Sequence, residues 1–453
     1  MSLKQLTLGL VSGALLAGGC THAPRTGDGR VHEFTLDNGL TVLVKPDHRA
    51  PVVVSQIWYR VGGSYEPDGL TGVSHVLEHM MFQGTDNLKP NEFSRLIAEQ
   101  GGRENAFTGR DYTAYFQSLE ASRLEISLRL EAERMQRLKL TEPEFEKERR
   151  VVQEERRLRT DDQPDALAYE RFMNTAYTVN NYRNPIIGWP QDLAALKLDD
   201  LRDWYARWYA PNNATLVVAG DVEPERVIQL ARKYFEPVPA RPLATGSGRP
   251  EPAQTNTRDV VVPAAAKVPY LLMGWHVPVI RKDRLADWEP YALDLLADVL
   301  DGGKSARFET VLVRQKQLAA SIGAEYDSIA RFSTLFTIAA HPAEGVTPDR
   351  LKAAIREEIA RVQHEPVRAQ ELERVKAQVV ASDVYGRDSV FYQAMKIGKL
   401  AVVGLPWQLE QEYAARLRAV TAEQVQAVAR KYLRDENLTV AVMEPLAVKG
   451  GGS

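Results

Sequence analysis

The chain has 453 residues, more than one ordinary core accommodates and enough for two. Its 44% hydrophobic and 26% charged content is that of a globular protein. A formal net charge of −3 argues against nucleic acid as the main partner, because such partners select a basic face.

The chain opens with Lys4, an apolar run from Leu6 to Gly19, and Cys20, its one cysteine, so no intramolecular disulfide is possible. A positive start, a short apolar segment and small residues before a cut site predict a signal peptide over 1–19. Leu15-Leu16-Ala17-Gly18-Gly19-Cys20 resembles a bacterial lipoprotein signal, although Ala17 stands where that pattern prefers Leu. The resemblance implies lipidation of Cys20 and a membrane anchor; an ordinary signal peptide with an incidental cysteine is the alternative. Thr21, rather than Asp, resembles the outer-membrane-directed pattern. It implies a place in a bacterial cell envelope, on the periplasmic face of the outer membrane. Residues 20–30 are polar, with Pro and Gly, and read as a tether.

Alternating residues from His32 to Leu43 around Asn38-Gly39 predict a hairpin, and Val52 to Val61 a strand. Short helices are expected over Gly72–Phe82 and Asn91–Glu99, the second stopping at Gly101-Gly102. Ala106 to Leu119 reads as one strand. Ala121–Leu138 is an amphipathic helix, Glu142–Thr160 a charged one, and helix Leu198–Trp208 precedes strand Ala214–Ala219. Trp204, Tyr205, Trp208 and Tyr209 recur at helical spacing and read as core. Over 237–258 Pro, Ala, Gly, Ser and Thr dominate without apolar period, which predicts a linker. Strands follow at Asp259–Val262 and Tyr270–Trp275, then helix Trp288–Leu300 and strands Ala319–Tyr326 and Thr334–Ala340. Three helices and a last strand, Leu438–Val442, complete the pattern, and 447–453 is a glycine-rich tail.

The two halves end alike. Ala206-Arg207-Trp208-Tyr209 leads to Asn213-Ala214-Thr215, and Ala429-Arg430-Lys431-Tyr432 leads to Asn437-Leu438-Thr439. With the matched order of elements, this predicts an α+β fold of two duplicated domains, 31–236 and 259–446. Each is an antiparallel-rich sheet packed against helices.

The sharpest chemical signal is His75-Val76-Leu77-Glu78-His79 on the first short helix. Residues four apart on a helix share a face, so two imidazoles can reach one metal. Zinc suits imidazole and carboxylate ligands, and catalytic sites use three protein ligands. Glu78 lies beside the pair, where a base can take a proton from zinc-activated water.

This is the inverted zinc motif H-x-x-E-H. The chain resembles the pitrilysin or insulin-degrading family of inverzincin peptidases, in the branch that holds the mitochondrial processing peptidase and its bacterial relatives. The likeness extends over Val31 to Pro445. It implies the metallohydrolase fold shared by LuxS and the processing peptidases, and one zinc ion per chain. On Glu148-Arg149-Arg150-Val151-Val152-Gln153-Glu154-Glu155, it implies Glu155 as third ligand and Glu148, two turns earlier, as the carboxylate that orients His79. On Gly101 to Tyr115 it implies that Asn105 and Ala106 contact the substrate backbone. An edge strand can bind an extended peptide in this way.

The second half carries no metal motif, as in the family, where an active and an inactive domain face each other. That inactive side supplies an Arg and a Tyr to the substrate. Here Arg314 is present, but Ala320 stands where the Tyr is expected, which removes a donor for the developing oxyanion. Either Tyr326 or another group substitutes, or a homologous non-metal subunit carrying the Arg and Tyr completes the site as a heterodimer; a homodimer is a further arrangement. The expected function is a zinc metalloendopeptidase acting on short or unfolded polypeptides. A non-catalytic peptide-binding or scaffold lipoprotein that retains zinc is the alternative.

Overall fold

The computed structural model describes residues 29–243 and 248–446. Cys20, the signal segment and the glycine-rich tail lie outside the described residues. In the first half the chain forms β1 (His32–Thr35), β2 (Thr41–Pro46), β3 (Val52–Tyr59), α1 (Val73–Met80), α2 (Glu92–Glu99), β4 (Arg103–Thr108) and β5 (Thr113–Glu120). It continues through α3 (Leu124–Arg137), α4 (Glu142–Arg156), α5 (Pro164–Ala176), α6 (Pro190–Ala195), α7 (Leu198–Trp208), β6 (Ala214–Gly220) and α8 (Pro224–Phe235). The second half runs through β7 (Arg258–Ala264), β8 (Tyr270–Val277), α9 (Glu289–Asp301), β9 (Ala319–Tyr326) and β10 (Thr334–Pro342). Five helices follow, α10 (Pro348–His364), α11 (Ala369–Gly386), α12 (Val390–Val402), α13 (Leu409–Ala419) and α14 (Ala422–Tyr432), before β11 (Leu438–Pro445).

The strands form two sheets, ordered β1-β2-β6-β3-β5-β4 and β7-β11-β8-β10-β9. Each sheet contains a single parallel pairing, β2 with β6 and β7 with β11, among antiparallel ones. The same exception at the same place marks a duplicated α+β unit. β3 is buried at every position after Val52, because its successive side chains point to opposite sheet faces and both faces are covered: Val53, Ile57 and Tyr59 lie in the first-half core, while Val54 and Trp58 pack with Ala394 and Ile397 of α12. Trp204, Tyr205, Trp208 and Tyr209 are buried in the first core.

Two expectations about elements need correction. Ala106 to Leu119 is a hairpin, not one strand: Gly109 N–H donates to the Tyr112 carbonyl and turns the chain between β4 and β5. Five helices, not three, precede β11, because short breaks near Pro366, Ser389, Pro406 and Thr421 divide the helical pattern. Pro cannot continue a helix hydrogen-bond ladder, and Ser389 caps α12 by accepting from Tyr392 N–H.

The halves also exchange helices. From the first half, α5 places Ala168, Phe172, Met173 and Ala176 against Val262, Leu272, Ala441 and Met443 of the second sheet. From the second half, α12 places Ala394, Ile397 and Val402 against Leu43, Trp58 and Val217 of the first. Gly398 allows this approach: a Cβ there would sit 2.2 Å from Trp58 Nε1. Each exchange buries apolar area on a sheet face that would otherwise meet water.

Candidate metal centre

Helix α1 is short, and its position is set by what holds its start. Gly72 precedes it with φ of 88°, and a Cβ there would lie 2.6 Å from the Ile187 carbonyl oxygen. Only glycine meets both conditions without strain. Glu66, fully buried, accepts from the N–H groups of Gly72 and Ser74 at 2.8 Å each. These are among the donors a helix start leaves without partners. Burial pushes Glu66 up to about 7, offset in part by those same hydrogen bonds.

The helix faces α4, and the four residues expected to act together meet there. His75 Nε2 lies 3.9 Å, and His79 Nε2 3.4 Å, from Glu155 Oε2. Three donor atoms, one from each residue, fall within 4.8 Å of one another. A tetrahedral zinc with bonds near 2.1 Å needs donors about 3.4 Å apart, so this set fits the ion with small adjustments. Behind the triad, Glu148 Oε2 lies 3.3 Å from His79 Nδ1, and Gln83 donates to Glu148 Oε1 at 3.0 Å. That contact makes Nδ1 the protonated nitrogen of a neutral His79 and leaves Nε2 for the metal. Glu154, next to Glu155, pairs outward with Arg157.

The electrostatics suit a cation. Burial and the neighbouring His79 push His75 down to about 4, so its imidazole is the neutral ligand form. His79 is desolvated too, yet Glu148 and Glu155 raise it to about 9. Two carboxylates therefore favour positive charge at this point, whether a metal or a proton. Glu78 is 8% exposed and accepts a hydrogen bond from the Thr108 hydroxyl at 2.5 Å. Burial raises its pKa, which moves a carboxylate toward the range useful for a base near neutrality, and the Thr108 bond opposes that rise.

The triad and Glu78 line a cleft of about 670 Å³ with Asn105, Ala106 and Thr108 of β4, the edge strand of its sheet. Asn105 and Ala106 thus share the cleft with the metal donors. Arg314 does not: it stands on the π-helical segment Phe308–Gln315, is half exposed, and pairs with Glu309 at 2.9 Å. Ala320 is exposed on β9, and the Tyr326 hydroxyl donates to the Pro278 carbonyl, in a second cavity. Tyr326 therefore does not replace the missing phenol at this cleft.

Glu66, Gln83 and Thr108 escape a reading of the sequence because each acts across a tertiary contact with no fixed spacing. So does the Arg156–Glu170 pair. Arg156, next to Glu155, donates to both Glu170 oxygens at 2.7 and 3.0 Å and to the Gly188 carbonyl at 2.9 Å. Both partners are less than 5% exposed, and Glu170 belongs to the exchanged helix α5. The fork joins the ligand-bearing helix to the element that bridges the halves.

Comparison with known proteins places this geometry. The family described as "Insulinase (Peptidase family M16)" matches residues 41–189, and that described as "Peptidase M16 inactive domain" matches residues 195–379. The chain is 36% identical over 324 residues to zinc protease PqqE of Helicobacter pylori, covering 70% of this chain and 71% of that one. It is 26% identical over 416 residues to the uncharacterized zinc protease YmxG of Bacillus subtilis, covering 92% and 98% of the two chains. The crystal structure of a protease from Helicobacter pylori superposes with a TM-score of 0.88 at 30% identity, over 92% of this chain and 100% of that one. The chain belongs to the M16, or insulinase, family of peptidases.

Proposed function

We propose that this chain is a zinc metalloendopeptidase that hydrolyses peptide bonds of short or unfolded polypeptides. The convergence of His75, His79 and Glu155, with the buried Glu78 beside them in one cleft, carries this reading. The names of the similar zinc proteases support the metal and the reaction class. One zinc ion per chain would be held by His75, His79 and Glu155, with Glu148 orienting His79. Zinc in such a site supplies Lewis acidity, which polarises a carbonyl and makes water a better nucleophile near neutral pH. Glu78 accepts the proton of the attacking water and returns it to the leaving amine. Thr108 fixes the carboxylate for both transfers, and β4 holds the substrate backbone through Asn105 and Ala106 by adding a strand to the sheet edge.

The donor for the oxyanion is the incomplete part. Ala320 offers no phenol, Tyr326 is bound to Pro278, and Arg314 is not among the residues lining this cleft. These observations favour a dimer, with a homologous non-metal subunit supplying the Arg and Tyr. In it, Arg314 would contact substrate only within the assembled pair. The lipoprotein-like signal supports export and anchoring through Cys20 to the periplasmic face of the outer membrane. No helix among the described residues is long and apolar enough to cross a membrane.

Glu78→Gln tests the reading. The variant should keep its zinc and lose cleavage of an unstructured peptide, by about 10²–10⁴-fold. Equal cleavage by variant and wild type would sink the mechanism. Zinc binding without cleavage by wild type, alone or with a partner subunit, would favour the scaffold alternative.

A further inference from the structure

The turn between β4 and β5 carries Arg110 into the cleft. Its side chain lines both the metal cleft and the adjoining cavity between the halves. Three arginines, Arg110, Arg159 and Arg183, line the metal cleft. Two are neutralised: Arg159 pairs with Glu155 and Arg183 with Asp68, each at 2.6 Å. Among the described residues Arg110 has no carboxylate within ion-pair distance, and its buried Nε has no hydrogen-bond partner. What surrounds it is aromatic. Tyr169 lines the same cleft and the same adjoining cavity, and the Tyr182 ring lies 5.8 Å from the Arg110 Cζ.

The carboxylate next in sequence does not serve it. Asp111 accepts from the Ser64 hydroxyl at 2.7 Å, from the Arg331 N–H at 3.0 Å and from the Tyr182 hydroxyl. Those bonds fix Asp111 within the contact between the halves, 4% exposed. Arg110 is partly buried, and a guanidinium that has no counter-charge and a buried Nε without a partner offers a fork of donors that matches a carboxylate. Tyr169, 40% exposed, adds a hydroxyl to the lining of the same cleft.

We propose that Arg110, with Tyr169 beside it, binds a carboxylate of the peptide substrate. The inference rests on the peptidase reading for its ligand, but its chemistry is separate: it concerns charge recognition, not bond cleavage. A charge-assisted pair of this kind corresponds to a preference of about tenfold or more.

The test measures binding by the full zinc-loaded chain bearing Glu78→Gln, using fluorescent unstructured peptides. One peptide set replaces Glu by Gln at each position in turn; the other compares a free C-terminal acid with its amide. The carboxylate member of at least one pair should bind about tenfold more tightly. Adding Arg110→Gln should bring that ratio to about one, and Arg110→Lys should recover much of it. The responding set identifies the source, side chain or chain end. Equal binding within every pair, or a ratio that survives Arg110→Gln, overturns the proposal. Cleavage of the same peptides by wild type separates the two readings. Cleavage without carboxylate preference defeats this inference alone, whereas preference in binding without cleavage defeats the peptidase reading alone. Failure to bind any peptide counts against both.

Discussion

In each half an interior strand of the sheet feeds a helix, β3 leading to α1 and β8 to α9. Along α1 stand His75 and His79; along α9, at the same four-residue spacing, stand Asp294 and Asp298. The surroundings then diverge. Helix α4 offers Glu148 and Glu155 to α1, whereas α11 packs Val375 and Val379 into the core that holds α9. Burial pushes Asp294 up to about 7, opposed by hydrogen bonds from Tyr413 and Ser328, and pushes Asp298 up to about 6. Helices that follow corresponding strands thus carry pairs of titratable side chains at the same spacing, but a cation is favoured only where imidazoles meet compensating carboxylates. Where carboxyls are buried without such partners, the proton is favoured instead.

The comparison breaks most severely if the metal does not follow the histidines. His79→Ala should reduce zinc from about one per chain to near zero and abolish cleavage, as read by metal analysis and a peptide assay. Asp294→Asn should leave the zinc content unchanged. A Glu148→Gln variant sharpens the picture: it keeps all three ligands yet should lose about 10–100-fold in zinc affinity, measured by chelator competition. An unchanged affinity would mean that Glu148 does not orient His79.

Asp294 tests the other half. Its folded pKa lies above the ordinary Asp value, so the folded state holds the proton more tightly than the unfolded chain does. Its contribution is fully present below about pH 4 and is lost as pH rises through about 7. Asp294→Asn should therefore gain stability relative to wild type between pH 5 and pH 8, by a few kcal/mol, in denaturant titrations at the two values. Parallel curves would show that the neighbouring Asp298, pushed up to about 6, carries the titration instead. The smallest effect is expected at Thr108. Thr108→Val removes one hydrogen bond to Glu78 and should lower kcat about three- to tenfold. Because that bond lowers the Glu78 pKa, the acidic limb of the kcat profile should move to higher pH.

How much of this was legible in the sequence differs by residue. His75, Glu78 and His79 were, because a single helix turn fixes their relation. Glu155 came through resemblance, since only the packing of α4 on α1 brings it 76 positions back to His79. The duplicated sheets were readable from alternation and the repeated Asn-x-Thr strand. The β4–β5 turn was not, because apolar alternation runs through it, and that turn is what presents Arg110. The exchange of α5 and α12 was equally invisible: apolar periodicity says that a face is buried, not which sheet buries it. Arg314 matched a family segment, yet its side chain pairs with Glu309 outside the cleft. Local likeness does not determine where a half-exposed side chain points.

The most direct measurement is anomalous diffraction at the zinc edge from crystals of the zinc-loaded chain. A single peak per chain is expected, bonded to His75 Nε2, His79 Nε2 and a Glu155 oxygen, with no fourth protein ligand. A peak at Asp294 and Asp298, or a fourth side chain closing the site at His75 and His79, would contradict a catalytic zinc centre confined to the first half.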